Sequence, residues 1–304
     1  MKKYKTEKDA VLRFSHQAMG TPFEIFFDGV DKQYAGHASQ AVFEEIDRLE
    51  NLFTRFNPCS DIGQINNLKP GQPCAVGVET FECLKKSFFI QKQTKGAFAV
   101  HYASLLAQGG EKKSLDIPLK MHRSKGRFQV TLKKQRLFSG DQGISLDLGG
   151  IGKGFALDRV KNILNDWEIQ DALVHGGTST ALALGNPSDK KGWAVGVGGD
   201  LKAPSIPQKI TIKNRAVSGS GKQIKGEHIR DPRTGRPASG HKSAWVSHPC
   251  AATADALSTA FVVMNTLEVE DFCQKDDRVW ALVVCNDGSC KTFNQKRKIV
   301  SLAF

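Results

Sequence analysis

The chain has 304 residues, 40% hydrophobic and 24% charged, the composition of a globular protein with a substantial core. Its net charge of +12 favours anionic ligands, although the basic residues are spread along the chain rather than gathered in a block. No stretch approaches the ~18 apolar residues of a membrane span. The basic start MKKYKTEKDAVLRFSHQ leads into no apolar secretion segment, and seven cysteines without a Cys-x-x-Cys pair argue against zinc and for a reducing cytoplasm.

The first predicted strand is Phe23–Phe27, after a turn-like Met19-Gly20-Thr21-Pro22. From Gly36 to Thr54, Val42, Phe43, Ile46, Leu49 and Phe53 recur at three- and four-residue steps, with acidic residues mainly opposite. That pattern predicts an amphipathic helix, ended by Asn57-Pro58. A second helix spans Glu79 to Thr94, with Phe81, Leu84 and Phe88 on one face and Gly96 as its stop. Residues 108–143 read as charged loops around short strands such as 128–132. A third helix follows the glycine run at 149–154, with Phe155, Val160, Ile163, Leu164 and Trp167 as its apolar positions. Short strands are expected at 172–175, 193–197, 209–213 and 243–247. The helix from Ala252 to Met264 is apolar nearly all round and is expected to be buried. Trp280–Val284 and Cys290–Phe293 flank Asn286-Asp287-Gly288 as a hairpin. Helices and strands mix without strict alternation, which predicts an α+β fold. No linker divides the chain, so interwoven subdomains over 14–304 are expected, after a basic extension at 1–13.

Four segments carry chemistry. Ser145 to Gly154 runs from a short strand into a helix, with Gly149, Gly150, Gly152 and Lys153 at the junction. This is either a phosphate cradle at a helix N-terminus or a tight turn that needs glycine. Lys153 is followed by Gly rather than Ser or Thr, so it is not a Walker A lysine. Asp255 and Thr259 are four apart and share a helix face. On an apolar helix their oxygens need partners, either a hard cation such as Mg²⁺ or a core hydrogen bond. His228 precedes a turn at Asp231-Pro232 and Thr234-Gly235, as a general base or as an exposed loop histidine. Gly176-Gly177 closes the 172–175 strand, where backbone could approach a ligand. His175 beside it reads as structural.

The order of these segments carries more than any one of them. Ala18-Met19-Gly20-Thr21 comes first, then Asn57-Pro58-Cys59-Ser60-Asp61-Ile62 with Asn66, and Gly96-Ala97-Phe98. Leu146-Asp147 through Gly154-Phe155-Ala156-Leu157-Asp158 follows, then Gly176-Gly177 and Ala216-Val217 through Ser220-Gly221. His228-Ile229 through Gly235 and Asp255-Ala256-Leu257-Ser258-Thr259 close the series. From about residue 14 onward this resembles the ApbE family, the FAD:protein FMN transferases. The resemblance implies an ApbE-like fold of mixed, mainly antiparallel sheets with packed helices. It implies transfer of the FMN half of FAD, with Mg²⁺, onto a Thr or Ser hydroxyl of an acceptor protein, releasing AMP. By position it implies metal ligands at Asp255, Thr259 and the Gly150 carbonyl. It implies FAD contacts at Met19, Phe56, Ala97, Phe98, Asp147, Lys153 and Ile229, and a role for His228 at the acceptor hydroxyl.

The sequence departs from the family pattern in two places. Ala99-Val100-His101 stand where Asp-Pro-Thr usually follows Gly-Ala-Phe, and Thr178 stands where Asn or Asp follows the glycine pair. These departures leave room for a relative that only binds FAD, or for an Mg²⁺-dependent FAD pyrophosphatase. A basic nucleic-acid-binding protein would suit the charge, but no recognition motif accompanies it, so no nucleic-acid partner is expected. Many relatives are exported lipoproteins, whereas this sequence reads as cytoplasmic.

Overall fold

A computed structural model describes residues 11–101, 119–124, 126–133, 144–188, 190–197, 209–222, 229–294 and 301–303. In β2 (Thr21–Phe27), Phe23, Ile25 and Phe27 share one face and are fully buried, the two-residue period of a strand. β2 lies between β1 (Leu12–Ala18) and β6 (Ala172–Gly176), antiparallel to both. The sheet continues through β7 (Thr180–Leu184), β10 (Arg215–Gly221), β11 (Ser243–His248), β12 (Trp280–Val284) and β13 (Cys290–Phe293). Its eight strands run in the order β1-β2-β6-β7-β10-β11-β12-β13, with every neighbouring pair antiparallel.

Both faces of this sheet are covered, which is why β6, β7 and β12 read as apolar runs rather than alternating strands. On one face Val174, Leu182 and Ala216 pack with helical residues. On the other, Leu173, Ala181, Val217 and Leu282 pack with Trp193, Val195, Ile210 and Ile212. Those last four lie on β8 (Trp193–Gly196) and β9 (Lys209–Ile212), which with β14 (Ser301–Ala303) form a second sheet in the order β14-β9-β8. A third small sheet joins β3 (Pro73–Ala75), β5 (Arg127–Leu132) and β4 (Leu119–Ser124), in that order.

The helical layer begins with α1 (Lys32–Phe53). Asp31 caps it by accepting from the Gln33 and Tyr34 N–H groups, so the helix starts before the predicted Gly36. Ala35, Ala38, Val42, Ile46, Leu49 and Phe53 form its buried stripe. α2 (Asp61–Asn66) and α3 (Val78–Gln93) follow, and Gly96, at φ +82°, closes α3 by bonding back to the Gln91 carbonyl. α4 (Gly152–Asp166) and α5 (Ala251–Val263) pack against each other, and α5 also packs on β10 and β11. Eleven of the thirteen α5 residues are buried, as its all-round apolar pattern predicts. α6 (Thr266–Lys275) closes the layer with a capping box from Asn265 and Glu268. No helix of the described residues is long and apolar enough to cross a membrane.

Candidate active site

A cavity of about 580 Å³ opens where the N-terminus of α4, the Asp255–Thr259 face of α5 and the β10 strand meet. Three local devices place its walls. Asn66 at the end of α2 clamps the Leu146 backbone, accepting from its N–H at 2.7 Å and donating to its carbonyl at 3.1 Å. The Asp147 N–H donates to the Val100 carbonyl at 2.7 Å, which lays residues 97–100 beside 146–150. The Asp147 side chain then folds back, accepting from the Gly149 N–H at 2.8 Å and facing Arg55 Nε at 3.4 Å. Asn66→Ala is therefore expected to cost about 1–2 kcal/mol through the two stranded backbone groups. Urea denaturation checks it, and an unchanged midpoint would show that the clamp is dispensable.

Asp255 is the buried carboxyl group of the site, only 4% exposed. Oδ2 accepts from the Gly154 N–H at 3.0 Å. Oδ1 accepts from the Ser218 hydroxyl at 3.0 Å and the Thr180 hydroxyl at 3.4 Å. Thr180 and Ser218 are themselves 2.9 Å apart. All these donors are neutral, and no Lys, Arg or His lies within ion-pair distance among the described residues. One turn further on, Thr259 Oγ1 meets Ser220 Oγ at 3.1 Å, and Ser220 also meets Ser258 at 2.8 Å. Gly150 sits across from this hydroxyl row. A Cβ there would lie 3.3 Å from Phe98 and 3.6 Å from Thr259 Oγ1, so only a bare backbone leaves the gap open.

Met19, Ala97, Phe98, Asp147, Gly150, Lys153, Ile229, Asp255 and Thr259 all line this one cavity. Phe56 does not. Its ring is 83% exposed, under the Arg55 guanidinium at 4.7 Å. His228 lies outside the described residues, next in sequence to Ile229. Of the two readings of the α4 N-terminus, cradle or tight turn, the Gly154 N–H serves neither a ligand nor a turn, because it is given to Asp255. The Lys153 ammonium reaches back to the Gly149 carbonyl at 3.5 Å, on the cavity wall. Thr178 and Ser179 line the same cavity, but Gly176 and Gly177 do not: Gly177, at φ +66°, packs on the Thr21 side chain and Gly176 on Phe23. His175 instead packs edge-on against Phe26, and burial lowers its pKa, in line with a structural role. His101 is also buried, with neither ring nitrogen hydrogen-bonded, and burial pulls its pKa down to about 4.

Sequence reasoning did not single out Ser218, Thr180 and Arg55. Only tertiary pairing brings the first two to Asp255, through β7 opposite β10. For Arg55 the signal was present but unread: a cation just past an amphipathic helix, beside an aromatic residue.

Oxygen donors, a lysine and the first turn of α4 meet in one cavity on an antiparallel α+β scaffold. A sequence profile of the ApbE family matches residues 19–283, and the chain belongs to that family. Two curated relatives are FAD:protein FMN transferases. The one from Buchnera aphidicola (subsp. Schizaphis graminum) is 22% identical, over 95% of this chain and 91% of the relative. The one from Haemophilus influenzae is 23% identical, over 93% and 89%. Among solved structures, an ApbE protein from Thermotoga maritima superposes with a TM-score of 0.76 at 25% identity, covering 95% of this chain and 98% of its own. The flavin transferase ApbE from Vibrio cholerae gives 0.75 at 19% identity, covering 95% and 99%. By family, this protein is a transferase enzyme.

Proposed function

We propose that this enzyme moves the FMN moiety of FAD onto a Thr or Ser hydroxyl of an acceptor protein, with Mg²⁺ as its cofactor, and releases AMP. The observation that carries this reading is Asp255, a buried carboxylate with only neutral partners, facing Thr259 and Gly150 across a cavity with Lys153 on its wall. That donor set fits a hard divalent ion. Mg²⁺ takes oxygen ligands and is commonly held by one or two carboxylates, with substrate phosphates and water completing the shell. Among the described residues no group of three or more His, Cys, Asp or Glu could hold a metal. Asp255, Thr259 and the Gly150 carbonyl would hold the ion, whose chemistry is to neutralise pyrophosphate charge and ease departure of a phosphate.

The chain's own residues do the rest. Ser218 and Thr180 fix the Asp255 carboxylate in one orientation. Lys153 offers its ammonium to the pyrophosphate. Met19, Ala97, Phe98 and Ile229 give the ring systems of FAD an apolar wall, with Asp147 at its polar edge and Phe56 outside the cavity. His228 takes the proton of the acceptor hydroxyl as its oxygen bonds to the FMN phosphorus. The bond from that phosphorus to the bridging oxygen breaks, and AMP leaves. Seven free cysteines suit a reducing cytoplasm.

Ala99 favours a second reading. It lines the cavity where the family pattern has an acid. With water in place of the acceptor, the same machinery hydrolyses FAD to FMN and AMP. The test is incubation with FAD, Mg²⁺ and a peptide bearing a family-type acceptor threonine, read by intact mass. A peptide gaining the mass of an FMN ester is expected. Free FMN with an unmodified peptide and an unmodified natural acceptor would overturn transfer in favour of hydrolysis.

A further inference from the structure

α5 faces two cavities. Asp255 and Thr259 line the first, whereas Cys250, Thr253 and Leu257 line a second groove of about 1230 Å³, walled on its other sides by α3, α4 and α6. We propose that Cys250 is a hydroperoxide-reactive modification site in this second groove, coupled through the first turn of α5 to Asp255.

Three side chains converge on the sulfur. Lys86 Nζ donates to Sγ at 3.0 Å, the thiol donates to Asp158 Oδ2 at 3.0 Å, and the Thr253 hydroxyl donates to Sγ at 3.3 Å. Burial works to depress the Lys86 amine, but the neighbouring Cys250 and Asp158 raise its pKa above the ordinary value, so it stays charged. Cys250 is also the N-cap residue of α5, and it is partly exposed to the groove. A second observation points to a small polar ligand. His248 lines the same groove, is 4% exposed, and leaves Nε2 without a hydrogen bond, with its nearest acid, Asp276, 4.0 Å away. Burial lowers its pKa to about 4, so the ring is neutral and can hydrogen-bond a hydroperoxide.

These groups balance a two-electron oxidation. Asp158 takes the S–H proton. The sulfur electron pair attacks one peroxide oxygen, the O–O bond breaks, and the far oxygen leaves as hydroxide and takes a proton from Lys86 to become water. Cys250 becomes a sulfenic acid, and solvent returns the Asp158 proton to Lys86. The consequence for α5 follows from shared contacts. The Asp158 carboxylate also accepts from the Ala251 and Ala252 N–H groups at 2.7 and 3.0 Å. The Ala251 carbonyl abuts Gly154, whose N–H holds Asp255.

Cys59 supplies the internal control, because it is the exposed thiol and accessibility alone would oxidise it first. The full-length enzyme is given a brief hydrogen peroxide pulse, trapped with a sulfenate-selective dione and mapped by peptide mass. Labelling of Cys250 before Cys59, through a ~16 Da sulfenate intermediate, is expected, and Lys86→Met should slow it at least about fivefold. FMN transfer should fall in step with Cys250 occupancy in the wild type and hold in Cys250→Ser, where Asp158 still accepts from the Ala251 and Ala252 N–H groups. Labelling of Cys59 with Cys250 intact, or an undiminished rate in Lys86→Met, would overturn the site. Full Cys250 occupancy with unchanged transfer would overturn the coupling. The coupling rests on the transferase reading. An enzyme without transfer before the pulse would sink that reading, while the mass map still decides the thiol.

Discussion

Asp255→Ala should lower FMN transfer by about 10³-fold or more while the protein stays folded. The two halves of this expectation have separate causes. Asp255 supplies the one carboxylate among the three proposed Mg²⁺ ligands, so its loss removes the charge that holds the ion. Its structural partners are not stranded. The Thr180 and Ser218 hydroxyls are 2.9 Å apart, and Ser218 also reaches the Ser179 carbonyl at 3.2 Å, so both can pair without the carboxylate. Only the Gly154 N–H loses its acceptor, a cost of about 1–3 kcal/mol, partly offset because a buried carboxyl group is gone. Transfer rates over an Mg²⁺ titration, beside a denaturation curve, separate the two. Asp255→Asn keeps the shape and should fail equally in transfer. Wild-type-like turnover by either variant would remove Asp255 from the metal site.

Gly154→Ala has the second large effect, and its sign runs against helix propensity. An exposed helical glycine replaced by alanine gains about 0.5–1 kcal/mol. Here a Cβ would overlap the Ala251 carbonyl, 2.7 Å from its carbon and 2.8 Å from Ala252 Cα. Those are backbone atoms of α5 and cannot swing aside, so overpacking of about 1–3 kcal/mol outweighs the gain. Pushing the helices apart also stretches the bond from the Gly154 N–H to Asp255, so transfer should fall more than stability. Chemical denaturation and Mg²⁺ affinity together check this. A stabilised variant with unchanged Mg²⁺ affinity would mean that α4 and α5 approach less closely than described.

The long helices and β2 were legible because burial repeats in them with a clear pattern. α1, α3, α4 and α5 follow their apolar spacing, and β2 its alternation. β7 and β10 were not legible, since TALAL is a short apolar run without a period that separates strand from helix and RAVSGSG holds two glycines of low strand propensity. Their extended state comes from tertiary pairing at the centre of the sheet. β1 was hidden for another reason: it is an edge strand whose polar residues face outward. In the cavity, Asp255 and Thr259 could be paired from their spacing on one helix. Ser218 and Thr180 could not, because nothing local in the sequence says which carboxylate they meet. The glycine run at 149–154 could be read either as a phosphate cradle or as a tight turn, and the structure shows Gly154 spent on close contact between α4 and α5.

The most direct measurement is a time course with FAD, Mg²⁺ and an acceptor, following released AMP and protein-bound flavin together. Transfer predicts that the two rise in equal amounts, that both stop when Mg²⁺ is chelated, and that neither appears with Asp255→Ala. AMP accumulating beside free FMN, with no flavin on the acceptor, would contradict the transferase reading.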